Sequence, residues 1–336
     1  MRMNPFAVLV SLALLLAAPG APLHANDSTA SLDAGGLRLT FNPDIEMESE
    51  RLYLSRNEVR VAYRFHNKSN RDIGTLVAFP LPVMEIGETG NYALDGRDPV
   101  DIMGFAVTVD GKSVKPSVEV KATRFGVDVT AVLQRHAIPV TMLPGRGENA
   151  STLNDRLNDL PDDARRELER HGVVDWHSSF GAENKPLANV HWNAHIAYYW
   201  FQTFPAQKTI EVTHRYRPVP RQFFFMKTDL ESAETRQAYC MDPGFVRGVQ
   251  ARLQKASLDV LAGTELKYVL TTAGNWLGPI GRFELTVDKG SPDVLVSFCG
   301  EGVRRTGPTT FTLSKDKFSP DADLRVLFLA PMPTGN

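Results

Sequence analysis

Polar and apolar residues alternate in short segments along most of this 336-residue chain. In residues 51–54 and 58–65, for example, every second side chain is apolar. A period of two places one face of a β-strand against a core and the other in solvent. The Asp110-Gly111 pair, which follows one such segment, favours a tight type I′ hairpin turn. The pattern therefore predicts a mainly β chain with an antiparallel β-sandwich architecture.

Other segments complete the predicted order of elements. Leucines at helical spacing predict a two-helix insertion at residues 150–172. Asp242 as N-cap and Pro243 in the first turn predict one further helix, with Phe245, Val249 and Leu253 on its apolar face. Additional strands are predicted at residues 73–79, 102–109, 113–120, 188–204, 208–216, 266–272, 282–287, 294–298, 309–313 and 324–329.

The first 25 residues have the three parts of an export signal. Arg2 is the positive start, residues 6–18 are apolar, and Ala25 is a small residue at the expected cut. Cleavage there leaves a mature chain that begins at Asn26, in the periplasm or secreted. No cysteine follows the cut, and no later run is apolar enough for a membrane span, so we expect no membrane span after signal cleavage.

The expected domain plan follows from these segments. Residues 1–25 are the signal peptide, residues 26–230 a β-sandwich domain with the helical insert, and residues 231–336 a C-terminal β-rich region with one helix. The pattern leaves open whether the two β regions are one domain or two.

Cys240 and Cys299 are the two cysteines of the chain. An even number of cysteines in an exported chain predicts a disulfide bond between them. Buried free thiols and a Cys/His metal pair are the alternatives.

The charge balance argues against one class of partner. The chain has 37 basic and 39 acidic residues, a formal net charge of −2, and no strongly basic segment to neutralise phosphates. We therefore expect no nucleic-acid binding.

Several motifs extend over nearly the whole mature chain, namely NDSTASLDAGGL, TLVAFPLP, FQTFPAQKTIEVTHRYRP, YVLTTAGNWLGPIGRFELTVDKG and VSFCGEGV. Together they resemble a family of exported bacterial proteins, the domain of unknown function family 4424, which implies no activity because the family has none assigned. Shorter strand-like strings in the first half resemble the β-sandwich of vault and inter-alpha-trypsin inhibitor proteins.

Common catalytic signatures are missing from the chain, among them G-x-S-x-G, H-E-x-x-H and the phosphate-binding loop. The best constellation is rich in histidine. His191 and His195 share one face of a predicted strand, and Asp175 or His177 from the preceding segment can add a third ligand. Three such ligands and an open position are what a catalytic zinc requires. The alternative is that these are ordinary surface or hydrogen-bonded residues.

Aromatic residues suggest a second kind of site. Trp276 and Asn275 lie in a Gly/Pro-rich turn, and Trp176 and Trp192 lie in an aromatic-rich stretch. Exposed aromatic rings stack on sugars or anchor a protein partner, whereas buried rings only fill the core. Trp276 is therefore either a presented binding residue or one folded over the sheet.

The sequence favours a non-enzymatic envelope protein that binds a partner or has a structural or assembly role, with an envelope protein or a glycan as partner and no cofactor. A metal-dependent hydrolase that holds zinc in the His/Asp cluster is the alternative. A chaperone-like factor that offers a sheet edge to another exported chain is a third hypothesis.

Overall fold

The computed structural model describes residues 26–33, 36–87, 91–92, 98–141, 148–177, 186–255 and 259–332. The predicted signal peptide lies outside these residues. In chain order the strands are β1 (Ser28–Asp33), β2 (Gly36–Thr40), β3 (Ile45–Ser55), β4 (Val59–Asn67), β5 (Ile73–Pro80), β6 (Met84–Ile86), β7 (Ala106–Val109), β8 (Lys112–Val114), β9 (Ser117–Arg124), β10 (Val127–Asp128), β11 (Val174–His177), β12 (Leu187–Val190), β13 (Trp192–Phe204), β14 (Thr209–Tyr216), β15 (Arg221–Met226), β16 (Val260–Tyr268), β17 (Ile280–Asp288), β18 (Leu295–Phe298), β19 (Arg304–Arg305), β20 (Thr310–Phe318) and β21 (Leu324–Ala330).

Helices are fewer than strands in the described residues. Two of them, α3 (Glu148–Asn158) and α4 (Asp162–Arg170), are the predicted insertion, and α7 (Pro243–Leu253) is the predicted further helix with its Asp242 cap. The helices are α1 (Pro99–Met103), α2 (Thr130–Arg135), α3 (Glu148–Asn158), α4 (Asp162–Arg170), α5 (Lys227–Glu231), α6 (Ala233–Ala238) and α7 (Pro243–Leu253), with a 3₁₀ helix at Thr271–Asn275.

The strands form four sheets. A seven-stranded sheet has the order β10-β9-β13-β5-β1-β2, with β6 also paired to β13. An eight-stranded sheet has the order β19-β20-β17-β3-β4-β14-β7-β8. A four-stranded sheet, β15-β16-β21-β18, and the β11-β12 hairpin complete the fold. Pairing is antiparallel except between β17 and β3, which are parallel.

The two large sheets face each other across one core. Tyr63 and Phe65 of β4 alternate with less buried neighbours, as do Ile196, Tyr198 and Trp200 of β13. Side chains of both sheets belong to the same apolar cluster. The alternation predicted from the sequence therefore describes the inner faces of a sandwich, and the mainly β, antiparallel fold class is confirmed.

Two predicted strands have the wrong bounds. Residues 99–103 are helical, because Asp98 accepts a hydrogen bond from the Val100 amide, Pro99 fits the first turn, and Gly104 ends the helix at φ +52°. The strand predicted at 266–272 begins earlier, at Val260, and ends at Tyr268. Beyond it, the Asp323 carboxylate accepts hydrogen bonds from the backbone amides of residues 270 and 271, which draws them out of the sheet ladder.

Strands from both predicted domains share the eight-stranded sheet. Strand β17, in the predicted C-terminal region, pairs with β3 from the first region over Arg282 to Asp288. The four-stranded sheet carries α7 and encloses a smaller apolar cluster. The two regions are thus joined by continuous backbone hydrogen bonding.

Gly281 allows β17 to approach β3 closely. A Cβ atom at this position would lie 2.5 Å from the Glu48 carbonyl oxygen. We expect Gly281→Ala to reduce the free energy of unfolding by about 1–3 kcal/mol, because the strands must move apart. Gly274→Ala is the matched control, since a Cβ there meets no atom within 4 Å. Urea unfolding of both variants measures the difference, and equal midpoints would contradict the close approach.

Candidate functional site

A pocket with a volume of about 200 Å³ opens where the four-stranded sheet meets the sandwich. Its walls come from the end of β5 and β6, the end of α1, the segment between β14 and β15, and the two central strands β16 and β21. This volume is below the roughly 300–1,000 Å³ of pockets for drug-sized ligands. The pocket therefore suits a small molecule.

One wall of the pocket is charged. The Glu265 carboxylate is buried and accepts hydrogen bonds from Arg325 Nε at 2.9 Å, Arg221 Nε at 3.1 Å and the Tyr239 hydroxyl at 2.8 Å. Lys267 Nζ lies 4.0 Å from the same carboxylate, which makes it the longest of the three ion pairs. The three basic side chains are each a third or more exposed. The wall therefore carries more positive than negative charge.

The neighbours of Glu265 keep it ionised. Burial by itself raises the pKa of this carboxyl, but Lys267, Arg325 and Tyr239 outweigh burial and hold the pKa below its usual value. Burial, together with the same carboxylate, raises the pKa of Tyr239 to about 12. The charged wall is therefore a fixed arrangement at neutral pH.

The opposite wall is mostly apolar, although it includes the exposed Glu85, and it is shaped by local turns. Leu81 and Met84 come from the end of β5 and from β6, and Val219 lies between Pro218 and Pro220. Tyr92 forms an isolated β-bridge with Arg221, and its hydroxyl accepts a hydrogen bond from the Glu85 amide at 2.9 Å. The pocket thus combines apolar surface with a cationic edge.

The structure brings together part of the predicted His/Asp cluster. His191 and His177 each place Nε2 beside one oxygen of Asp175, at 3.1 and 3.2 Å. His195 instead bonds to Thr123 Oγ1 at 2.8 Å. No group of three His, Cys, Asp or Glu side chains in the described ranges is placed to hold a metal ion. The zinc alternative stays a prediction.

The predicted aromatic residues differ in their surroundings. Trp276 is 1% exposed and Trp192 is 2% exposed, and Trp192 donates from Nε1 to the Val140 carbonyl at 2.7 Å. Trp176 is partly buried and donates to the Asn158 side chain at 3.1 Å. Asn275 donates to Ser28 Oγ at 2.8 Å. The burial of Trp276 and Trp192 favours the packing alternative for these two rings.

The predicted disulfide is present. Cys240 and Cys299 are bonded, with their Cα atoms 4.9 Å apart. Cys240 comes shortly after α6 and Cys299 directly after β18, so the bond fastens this helix to the edge of the four-stranded sheet.

A buried polar cluster surrounds the first described residues. We call Asn26, Asp27, Glu50 and His214 the N-terminal cluster; all four are buried. Asn26 Nδ2 donates to Glu50 at 3.1 Å, and His214 Nε2 lies 2.9 Å from Asp27 Oδ1. The Trp276 indole donates to the Asp27 carbonyl at 2.6 Å. The strands β3 and β14 thus hold polar groups inside an otherwise apolar core.

Sequence reasoning missed both the pocket and the N-terminal cluster. The pocket residues lie in six separate stretches of the chain, and no spacing connects them. For the cluster, the available signal was the polar Asn-Asp-Ser string directly after the expected signal-peptide cut, a position where three polar residues usually indicate an exposed terminus.

The fold and the pocket define a mainly β protein of the sandwich class with a small cationic pocket at the junction of its sheets. In the part of the chain that the structure describes, no helix is both long and apolar enough to cross a bilayer.

The chain belongs to the family described as Domain of unknown function (DUF4424), which it matches over residues 25–327. This confirms the resemblance found in the sequence. Among curated proteins the comparison found no match. One solved structure that is similar to the chain is that of a Legionella pneumophila protein with the provisional name nutrient binding protein; the identity is 16%, the TM-score 0.45, and the match covers 91% of this chain and 70% of that one.

Proposed function

We propose that this protein is a binding protein whose pocket takes a small organic anion with an apolar part, such as a short or aromatic carboxylate. The observation that supports this is the pairing of an apolar wall with three partly exposed cations around one buried carboxylate. A ligand carboxylate would meet the surplus positive charge, and its apolar part would contact the opposite wall. Charge-assisted hydrogen bonds of this kind are worth about 1.5–3 kcal/mol.

Lys267 is the residue on which the test depends. Its Nζ is 4.0 Å from Glu265, so the ammonium keeps donors for a ligand, while Arg221 and Arg325 hold Glu265 without it. We expect Lys267→Met to weaken benzoate binding about tenfold or more, because it removes one charge-assisted hydrogen bond worth about 1.5–3 kcal/mol. A difference of about 1.4 kcal/mol corresponds to a factor of ten in affinity. Isothermal titration calorimetry with benzoate and hexanoate measures this effect.

Two controls accompany the titration. Lys112→Met removes an exposed lysine of the β7-β8 hairpin, outside the pocket lining, and should leave benzoate binding unchanged. Benzylamine has the same ring with the opposite charge and should not bind. Binding of benzylamine as tight as that of benzoate, or no effect of Lys267→Met, would contradict the proposal.

We also propose that this binding occurs outside the cytoplasm, in the periplasm or in the secreted fraction. The export signal expected at residues 1–25 and the Cys240–Cys299 disulfide support that location, since disulfides persist in oxidising compartments. An envelope protein or a glycan as an additional partner stays a prediction.

A further inference from the structure

The chain enters the core at the residue where the mature protein is expected to begin. Asn26 and Asp27 are fully buried. The Asn26 carbonyl accepts a hydrogen bond from Thr272 Oγ1 at 2.8 Å, and its side chain donates to Glu50 at 3.1 Å. An N-terminal residue normally lies in solvent, whereas these contacts fix Asn26 between β3 and the 3₁₀ helix.

The N-terminal cluster contains two buried carboxyl groups, and its one basic side chain is His214, which lies beside Asp27. Glu50 contacts the Asn26 amide and the Tyr268 hydroxyl, and Asp27 contacts His214. Over the described ranges, no lysine or arginine forms an ion pair with either carboxyl group. Asp27 Oδ2 is buried and has no hydrogen-bond partner there. A buried carboxylate without a counter-ion is strongly unfavourable.

We infer that signal-peptide cleavage supplies the missing cation, so that the α-ammonium group of Asn26 becomes the buried counter-ion of Glu50 and Asp27 and completes the mature fold. Signal peptidase hydrolyses the peptide bond between Ala25 and Asn26 with one water molecule. The products are the carboxylate of Ala25 and the ammonium of Asn26. In the precursor, the same nitrogen is an uncharged amide.

Covalent geometry bounds the distance of the new charge from Glu50 at about 8 Å and puts the charge on the residue before Asp27. The α-nitrogen of Asn26 is four bonds of about 1.5 Å from Nδ2, so it lies within about 5 Å of that atom. Nδ2 is itself 3.1 Å from Glu50 Oε2. Asp27 is the next residue of the chain. An opposite charge within about 4–6 Å strongly favours the ionised carboxylate.

The pH dependence of stability distinguishes the two forms. While residue 25 is attached, burial raises the pKa of Glu50 to about 8. Hydrogen bonds from Asn26 and Tyr268 oppose this rise, and the nearby Asp27 adds to it. Tyr63 and His214 are the other titratable groups of the cluster. A carboxyl whose pKa is raised on folding contributes stability that is full below its unfolded pKa and is lost as the pH rises through the folded pKa. A neighbouring ammonium lowers that pKa and removes the loss.

The experiment compares the natural N-terminus with a displaced one. The full chain is exported with its own leader, either unchanged or with Gly-Ser inserted between Ala25 and Asn26, and mass spectrometry of the purified protein identifies each N-terminus. We expect the urea concentration at the unfolding midpoint of the inserted form to decrease as the pH rises from 5 to 8. The midpoint of the natural form should decrease less over the same range. In Glu50→Gln, which keeps an acceptor for Asn26, the insertion should change the pH profile less than in the wild-type sequence, because only Asp27 then loses its counter-ion.

Labelling of amines provides a second readout that needs only the natural protein. We expect acetic anhydride to modify the Asn26 α-amine at least tenfold more slowly than the exposed lysine amines of the native protein, and at a similar rate after denaturation. An α-amine that reacts like an exposed lysine, a mature N-terminus other than Asn26, or identical pH profiles with and without the insertion would each overturn the inference.

Discussion

Trp276→Ala should reduce the free energy of unfolding by about 3–5 kcal/mol, the range for removing a buried tryptophan. The indole is 1% exposed and packs on Phe65 at 4.6 Å and Phe204 at 5.9 Å between ring centroids. Its Nε1 also donates to the Asp27 carbonyl at 2.6 Å. The substitution leaves a cavity and a carbonyl acceptor without its partner. Chemical denaturation measures the combined loss in the free energy of unfolding.

Two control variants separate packing from general effects of losing an aromatic ring. Phe41 is 57% exposed, so Phe41→Ala should change stability by less than about 0.5 kcal/mol. Trp276→Phe keeps part of the ring packing and loses the hydrogen bond, and should lie between wild type and Trp276→Ala. A loss below about 1 kcal/mol in Trp276→Ala would contradict the core assignment and return this residue to the binding hypothesis.

Loss of the disulfide should have the second large effect. The bond closes a loop with a sequence separation of 59 residues. The chain-entropy model gives such a loop about 4 kcal/mol, and measured losses of native disulfides are about 2–5 kcal/mol. We therefore expect Cys240→Ser and Cys299→Ser each to lower the free energy of unfolding within that range.

The double variant Cys240→Ser/Cys299→Ser is the decisive comparison. Because each single change removes the same bond, the double variant should be about as stable as either single one. The wild-type protein in a reducing agent should have about the same free energy of unfolding as these three variants. Additive losses would show that the two side chains contribute independently of the bond, which contradicts the disulfide as the source of stability.

The sequence by itself determined the features that depend on neighbouring residues. Alternation in β4 and β13 predicted which side chains face a core, since a strand turns its side chains to opposite faces at every residue. Asp242 and Pro243 predicted the start of α7, because capping is satisfied within one turn. The disulfide followed from having two cysteines in a chain expected to be exported, which leaves a single possible pair.

Contacts between distant segments were decided by the tertiary structure. The charged wall of the pocket joins Arg221, Glu265 and Arg325, which no local pattern connects. The aromatic ring of Trp276 indicates either burial in a core or contact with a partner. The packing of rings from β4 and β13 against it shows that it is buried in the core. The burial of Asn26 depends likewise on β3 and the 3₁₀ helix closing around it, because burial of a polar residue requires partners that the folded chain alone supplies.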